Sequence, residues 1–204
     1  MTKANCDQRG EDEGLSQEEP NGCTIQNTKH LSPDQMSLLQ SQGYEGMLDD
    51  EIINTAQDLL QRQFPNSDGL QPVVAVLVPG YKVTKNAVQI HHGGERMHWL
   101  TNSYRNSKIM VADSIRTDNL SPYIRDQRTN LYSGVVHEPL KHMHFQDVDH
   151  QKNNYDCRVF AIAFAYELLS EDGDPEVTDN HKAIRGHLIT CLHNGSINKS
   201  PIKE

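Results

Sequence analysis

Four residues, in the chain order His98, Asp113, Gln151 and Cys157, have the types and placement to do chemistry together. Cys157 follows Asp156 at the expected start of a very apolar helix. A thiol there faces unpaired backbone N–H groups and the positive end of the helix dipole, both of which favour the thiolate. A cysteine nucleophile also needs a base. His98, on an expected strand, titrates near neutrality and suits that role. Asp113 ends the neighbouring strand and is placed to orient the imidazole and stabilise its charged form. Gln151 offers a side-chain amide, and Cys157 its backbone N–H, to a developing oxyanion. Taken singly, each residue has an ordinary structural role. Cys157 would be a small core residue, His98 one of 11 histidines, Asp113 a turn cap and Gln151 solvated surface. Only the joint pattern points to nucleophilic catalysis.

The elements that must position these residues follow from periodicity and punctuation. Ser32-Pro33-Asp34-Gln35 reads as a helix start with a capping box, ended near Gly43. Asp49 or Asp50 caps a second helix, in which Ile52, Ile53, Ala56, Leu59, Leu60 and Phe64 recur at helical spacing until Pro65. Strands are expected at Val73–Val78, Ala87–His91, Met97–Tyr104, Lys108–Ala112 and Met143–Val148. The region around Pro122 and Tyr132–Val136 reads as looser. From Cys157 the period lengthens to that of a helix, through Val159, Phe160, Ala163, Phe164, Leu168 and Leu169, ending at Asp172-Gly173-Asp174-Pro175. A last helix spans about 180–192. Helices, then strands, then helices predict an α+β domain with a central sheet packed against helices.

A chain of 204 residues supports one domain plus a tail. Its net charge of -9 argues against a nucleic-acid partner, and basic residues are scattered. Residues 1–22 hold six acidic and two basic groups with few apolar ones, so residues 1–28 are expected to form a disordered acidic tail. The folded body is expected over 30–196, with a short tail at 197–204. The spacing of Cys6, Cys23, Cys157 and Cys191 makes no zinc ladder and no disulfide framework, which suits an intracellular setting, nucleus or cytoplasm. The start lacks an apolar signal segment and no run is long enough for a membrane span, so no membrane partner is expected. His142, His144 and His150 lack a convincing fourth ligand, so no metal is expected, and Gly93-Gly94 lacks the rest of a phosphate loop.

The joint pattern resembles the ubiquitin-like protein-specific cysteine proteases, the SUMO/NEDD8 protease (Ulp/SENP) superfamily, and looks nearest to its divergent transposon-related copies. The resemblance spans roughly residues 45 to 195. Its anchors are Leu48-Asp49-Asp50-Glu51-Ile52-Ile53-Asn54, His98-Trp99, Asp113-Ser114 and the run from Gln151 through Asp156-Cys157-Arg158 to Phe160; Gly173-Asp174-Pro175 and Arg185 also fit. It implies a papain-like cysteine protease fold of the Ulp/SENP type, without a cofactor. It implies Cys157 as nucleophile, His98 as base, Asp113 as orienting acid and Gln151 at the oxyanion hole. Trp99 would wall a narrow channel for a Gly-Gly terminus, and the partner would be a ubiquitin-like modifier or its conjugate. The family has glycine after the cysteine, where this chain has Arg158. Arginine is compatible with a helix's first turn, yet its bulk is expected to crowd that channel. The implied activity is a thiol peptidase or isopeptidase cleaving after the modifier's terminal glycine. Two alternatives stay open: a catalytically inactive homologue that binds a modifier or partner protein, and a thiol acyltransferase, for which Lys141 and Lys152 make a poor anion pocket.

Overall fold

The computed structural model describes residues 31–41, 43–77, 80–93, 98–115, 120–170 and 183–201. The acidic tail expected over 1–28 and the turn expected at 172–175 lie outside them. Helix α1 (Pro33–Gln40) opens with the expected capping box: Gln35 N–H donates to Ser32 Oγ, and Ser32 N–H donates to Gln35 Oε1. It closes at Ser41, before Gly43 begins a 3-10 turn. Helix α2 (Asp50–Gln63) is capped by Asp49, whose Oδ1 accepts from Ile52 N–H.

The sheet has five strands in sequence order: β1 (Asp68–Gly69), β2 (Ala87–His92), β3 (Trp99–Arg105), β4 (Lys108–Ala112) and β5 (Met143–Phe145). The outer pairs are parallel and the inner pairs antiparallel, which makes the sheet mixed. Val73–Val78 is not a strand. Val73 and Val74 turn, Ala75–Leu77 is a 3-10 helix, and Val78 lies outside the described residues. Ala75 N–H closes on the Pro72 carbonyl and Val73 N–H is taken by Asn54 Oδ1, so the local donors serve a turn and a side chain rather than a ladder. Val74 is 63% exposed, which no buried strand permits. The place beside β2 belongs instead to the short β1.

Helix α3 (Pro122–Tyr132) occupies the region that read as loose. Ser121 caps it and Pro122 stands at its first position. Its inward face is Ile124, Gln127, Arg128, Leu131 and Tyr132, all buried. Two of those five are polar, and this hides the helical stripe from a hydrophobicity reading.

Helix α4 (Cys157–Leu169) is buried nearly all round and packs on β3, where Thr101 Oγ1 donates 2.7 Å to the Ala161 carbonyl. Helix α5 (Ile184–Asn194) ends at Gly195, whose φ of 70° gives the left-handed cap. The main core joins α1, α2, α4 and α5 to one side of the sheet, and a smaller core lies under α3 around Val83, Ile109, Leu131 and Tyr132. The fold is thus α+β, with a mixed central sheet between helices. The body runs past residue 196, where a tail was expected. Ile197 is buried in the main core, and its N–H and carbonyl both pair with the Gln63 amide.

Candidate active site

Cys157 is the first residue of α4. The first helical bond runs from Phe160 N–H to the Asp156 carbonyl, so the N–H groups of the opening turn point out of the helix start. The turn leading in is built by Asn153. Its Oδ1 accepts from both Tyr155 N–H and Asp156 N–H, and its Nδ2 donates to Asp156 Oδ2 at 2.7 Å. Asp156 is held from the other side by Arg185 on α5, whose Nε and Nη2 both reach Asp156 Oδ1. Arg185 Nη1 also donates to the carbonyls of Leu38 (3.2 Å) and Gly46 (2.7 Å). One guanidinium therefore ties the entry of α4 to α1 and to the turn before α2.

His98 immediately precedes β3 and Asp113 immediately follows β4, so antiparallel pairing brings the two to the same end of the sheet. Gly93 lies against His98. Its N–H donates to the His98 carbonyl, and a Cβ there would stand 2.8 Å from that oxygen, which leaves room for glycine alone. His98 Nε2–H donates to Asp113 Oδ1 at 2.6 Å, and Asp113 Oδ1 also accepts from Ile115 N–H. Both side chains are buried. Burial alone would hold the ring neutral. The hydrogen bonds to Asp113 and Cys157 and the charges of both overcome it and raise the His98 pKa to about 9. With Nε2 committed to Asp113, Nδ1 is the ring nitrogen left for the thiol. The structure thus brings Cys157, His98 and Asp113 together on one side of the fold.

Gln151 sits beside this group in a fixed orientation. Its N–H donates to the Ser114 carbonyl, its Oε1 accepts from Ser114 Oγ at 2.7 Å, and its Nε2 donates to the Asn153 carbonyl. An amide has two N–H donors. One is used within the loop, leaving at most one for an oxyanion. Ser114, Asn153 and Asp156 were not singled out as site residues by type or spacing. The Asn-x-x-Asp run at 153–156 is the available signal for Asn153 and Asp156, because that pairing forms local turns; Ser114 has none beyond its place after Asp113.

Trp99 and Arg158 are the surprise in this region. Trp99 is only 1% exposed, with the His92 ring 4.9 Å away, centroid to centroid. Arg158 is 4% exposed and lies with its guanidinium carbon 5.2 Å from the Trp99 ring centroid. That is cation–π distance. Burial pulls the Arg158 pKa down, opposed by the charges of Cys157, Asp50 and Asp49. Cys157 itself is 2% exposed, so the thiol is buried like the indole and the guanidinium.

Elsewhere the candidates disperse. Among the described residues no group of three or more His, Cys, Asp or Glu could hold a metal ion. Lys141 pairs with Glu138 on the surface, away from Cys157. Cys191 is a free buried thiol. No helix among the described residues is long and apolar enough to cross a membrane.

No family model matches the chain, and no curated protein sequence matches it. Solved structures do. The SUMO protease Ulp1 with its catalytic cysteine oxidised to a sulfinic acid superposes with a TM-score of 0.63 at 16% identity, covering 83% of this chain and 86% of that one. The C-terminal Ulp1 protease domain in complex with Smt3, the yeast ortholog of SUMO, gives 0.57 at 14% identity, covering 83% and 98%. A de-sumoylating protease gives 0.55 at 12% identity, covering 81% and 86%. At these identities the likeness establishes the fold, which is that of the Ulp1-type ubiquitin-like protein proteases.

Proposed function

We propose that the chain is a thiol peptidase or isopeptidase that cleaves after the C-terminal glycine of a ubiquitin-like modifier. The observation that carries this reading is the His98 ring, hydrogen-bonded to Asp113 and within the influence of the Cys157 thiol at the head of α4. In that reading the proton shared by Cys157 and His98 rests on His98 Nδ1, while Nε2–H stays on Asp113. The sulfur attacks the glycyl carbonyl carbon, and the C–N bond breaks as His98 hands the proton to the departing amine. Water then adds to the thioester, loses a proton to His98, and releases the carboxylate and the thiol. This reading assigns the Cys157 N–H and the remaining Gln151 N–H to the developing oxyanion. No step calls for a cofactor.

A catalytically inactive binder is the second reading. It is favoured by Arg158, which covers the Trp99 face where a Gly-Gly tail would have to run. The acyltransferase reading gains nothing, since Lys141 is engaged elsewhere.

The test is a panel of ubiquitin, SUMO and NEDD8 carrying C-terminal electrophiles, reacted with wild type, Arg158→Gly, and Cys157→Ala in the Arg158→Gly background. Labelling is expected to need Cys157. It should rise by roughly tenfold or more in Arg158→Gly, because about 1 Å of misplacement at a reacting centre costs about 100-fold. Silence of every variant across the panel would transfer the case to the binder, and equal labelling of wild type and Arg158→Gly would end the crowding argument.

A further inference from the structure

A cavity of about 290 Å³ lies at the other end of the sheet from Cys157. Its walls come from the C-terminal ends of two helices and the strands between them. Phe64 closes α2, Leu168 and Leu169 close α4, and Val88 and Ser103 stand side by side on β2 and β3. The Tyr166 ring meets Phe64 edge-on at 5.9 Å and holds that wall in place. The floor is therefore mostly hydrocarbon, while Asn66, Asn86 and Arg105 bring polar groups to the lining. Strand β3 runs from Trp99 at the Cys157 end to Arg105 here, so the two places stand about 20 Å apart along one strand.

Arg105 brings an uncompensated charge to this lining. The β3–β4 hairpin turns through Asn106 and Ser107, both with positive φ, 52° and 61°. Such a two-residue turn sets its flanking residues directly opposite each other, Arg105 against Lys108. Residues opposed in an antiparallel pair share a face, and like charges there repel. Neither cation forms an ion pair or a side-chain hydrogen bond among the described residues. The local sequence does not offset them. From Leu70 to Ala112 the chain carries Lys82, Lys85, Arg96, Arg105 and Lys108 against Glu95 alone. A chain of net charge -9 thus keeps a cationic hairpin tip beside an apolar cavity.

Two like charges held together are relieved by an anion, and apolar walls beside them reward a hydrocarbon. A planar carboxylate matches the guanidinium fork. We propose that this cavity is a binding site for a small amphipathic carboxylate, of the short- to medium-chain fatty acid class. Its tail lies against Phe64, Val88 and Leu168, and its head meets Arg105 and Lys108. The site stands whether or not Cys157 turns over a substrate.

The experiment titrates the full chain with hexanoate and follows backbone amide shifts by NMR. Saturable shifts are expected at Phe64, Ser103, Arg105 and Leu168, with a dissociation constant of about 1 mM or tighter. Hexan-1-ol, which keeps the tail without the charge, and acetate, which keeps the head without the tail, should each bind at least about tenfold more weakly. Arg105 is exposed, so its substitution leaves the core intact. Arg105→Gln should weaken hexanoate about fivefold or more and leave hexan-1-ol unchanged, and Arg105→Lys should keep part of the affinity. Leu169→Gln, at the half-buried edge of the floor, should weaken both tailed ligands. The inference is overturned if hexanoate does not bind, if hexan-1-ol or acetate binds as tightly, or if Arg105→Gln binds hexanoate like wild type. Shifts centred on His98 and Cys157 instead would place the ligand at the other end of the sheet and overturn it equally.

Discussion

Asp113 and Cys157 push His98 in the same direction, and the consequence is measurable as a function of pH. The ring's pKa is about 9 in the folded chain against the ordinary 6.5, raised by its two partners against the opposing effect of burial. A group whose folded pKa is raised adds stability that is fully present below its unfolded pKa. That stability is lost as pH climbs through the folded one. Wild type is therefore expected to lose stability between pH 6.5 and 9, by up to about 1.4 kcal/mol per pH unit. His98→Gln should give a flatter profile. Urea midpoints taken across that range measure it, and parallel slopes in the two proteins would refute the coupling. The peptidase rate should fall over the same upper limb, because above it His98 lacks the proton that the leaving amine needs. At this scale the sequence was informative where chemistry imposes residue type. His98 lies between Asp113 and Cys157, and Gln151 is bonded to Ser114 beside them. The stacking of Arg158 on Trp99 was not legible, since it depends on how closely α4 approaches β3. That Gln151 spends an N–H on its own loop was equally hidden, because an amide's partners are chosen by the folded turn.

Helix α4 is the element on which the site depends, and its entry is fixed from outside. Its cap, Asp156, makes no side-chain bond to the helix. The carboxylate is turned toward Asn153 and Arg185 instead. Capping is thus exchanged for a tether that reaches α1 and the turn before α2 through one guanidinium. Both members of the Arg185–Asp156 pair are largely buried. Removing one partner of such a pair leaves an uncompensated charge and costs about 3 kcal/mol or more. Arg185→Met is expected to destabilise the fold by about that amount. Arg185→Lys should recover only part, because a single ammonium cannot reproduce the planar fork. Denaturant unfolding checks this, and a loss below about 0.5 kcal/mol in Arg185→Met would show the tether to be surface-like. Elements of this kind were legible in the sequence in proportion to how apolar their buried faces are. Helices α1, α2 and α4 carry caps or dense stripes and were foreseen. Helix α3 buries Gln127 and Arg128 beside Ile124 and Leu131, so its stripe is broken. The Val73–Val78 run fails for the opposite reason: apolar composition cannot distinguish a strand from a turn followed by a 3-10 helix.

At the scale of the molecule, the described residues build a core from helices on both faces of the sheet. The main core is assembled from α1, α2, α4, α5 and one face of the sheet, and Leu31 is the earliest of the described residues packed on it. The entry to α1 is complete in itself, because Ser32 and Gln35 satisfy each other's backbone N–H groups. Upstream, residues 1–22 offer six carboxylates against two basic groups, and the whole chain already carries a net charge of -9. Docking that segment would place like charge beside like charge and bury little apolar surface in return. A chain beginning at residue 29 is therefore expected to melt within about 1 °C of the full chain, as removal of an unpacked terminus should. Amides of residues 1–28 should exchange as freely as in an unstructured peptide. Both measurements are needed, since a tail that docks weakly could leave the melting temperature unchanged and still protect its amides. A fall of several degrees on deletion would instead place apolar residues such as Leu15 or Ile25 against the body, and would move the domain boundary upstream of Leu31.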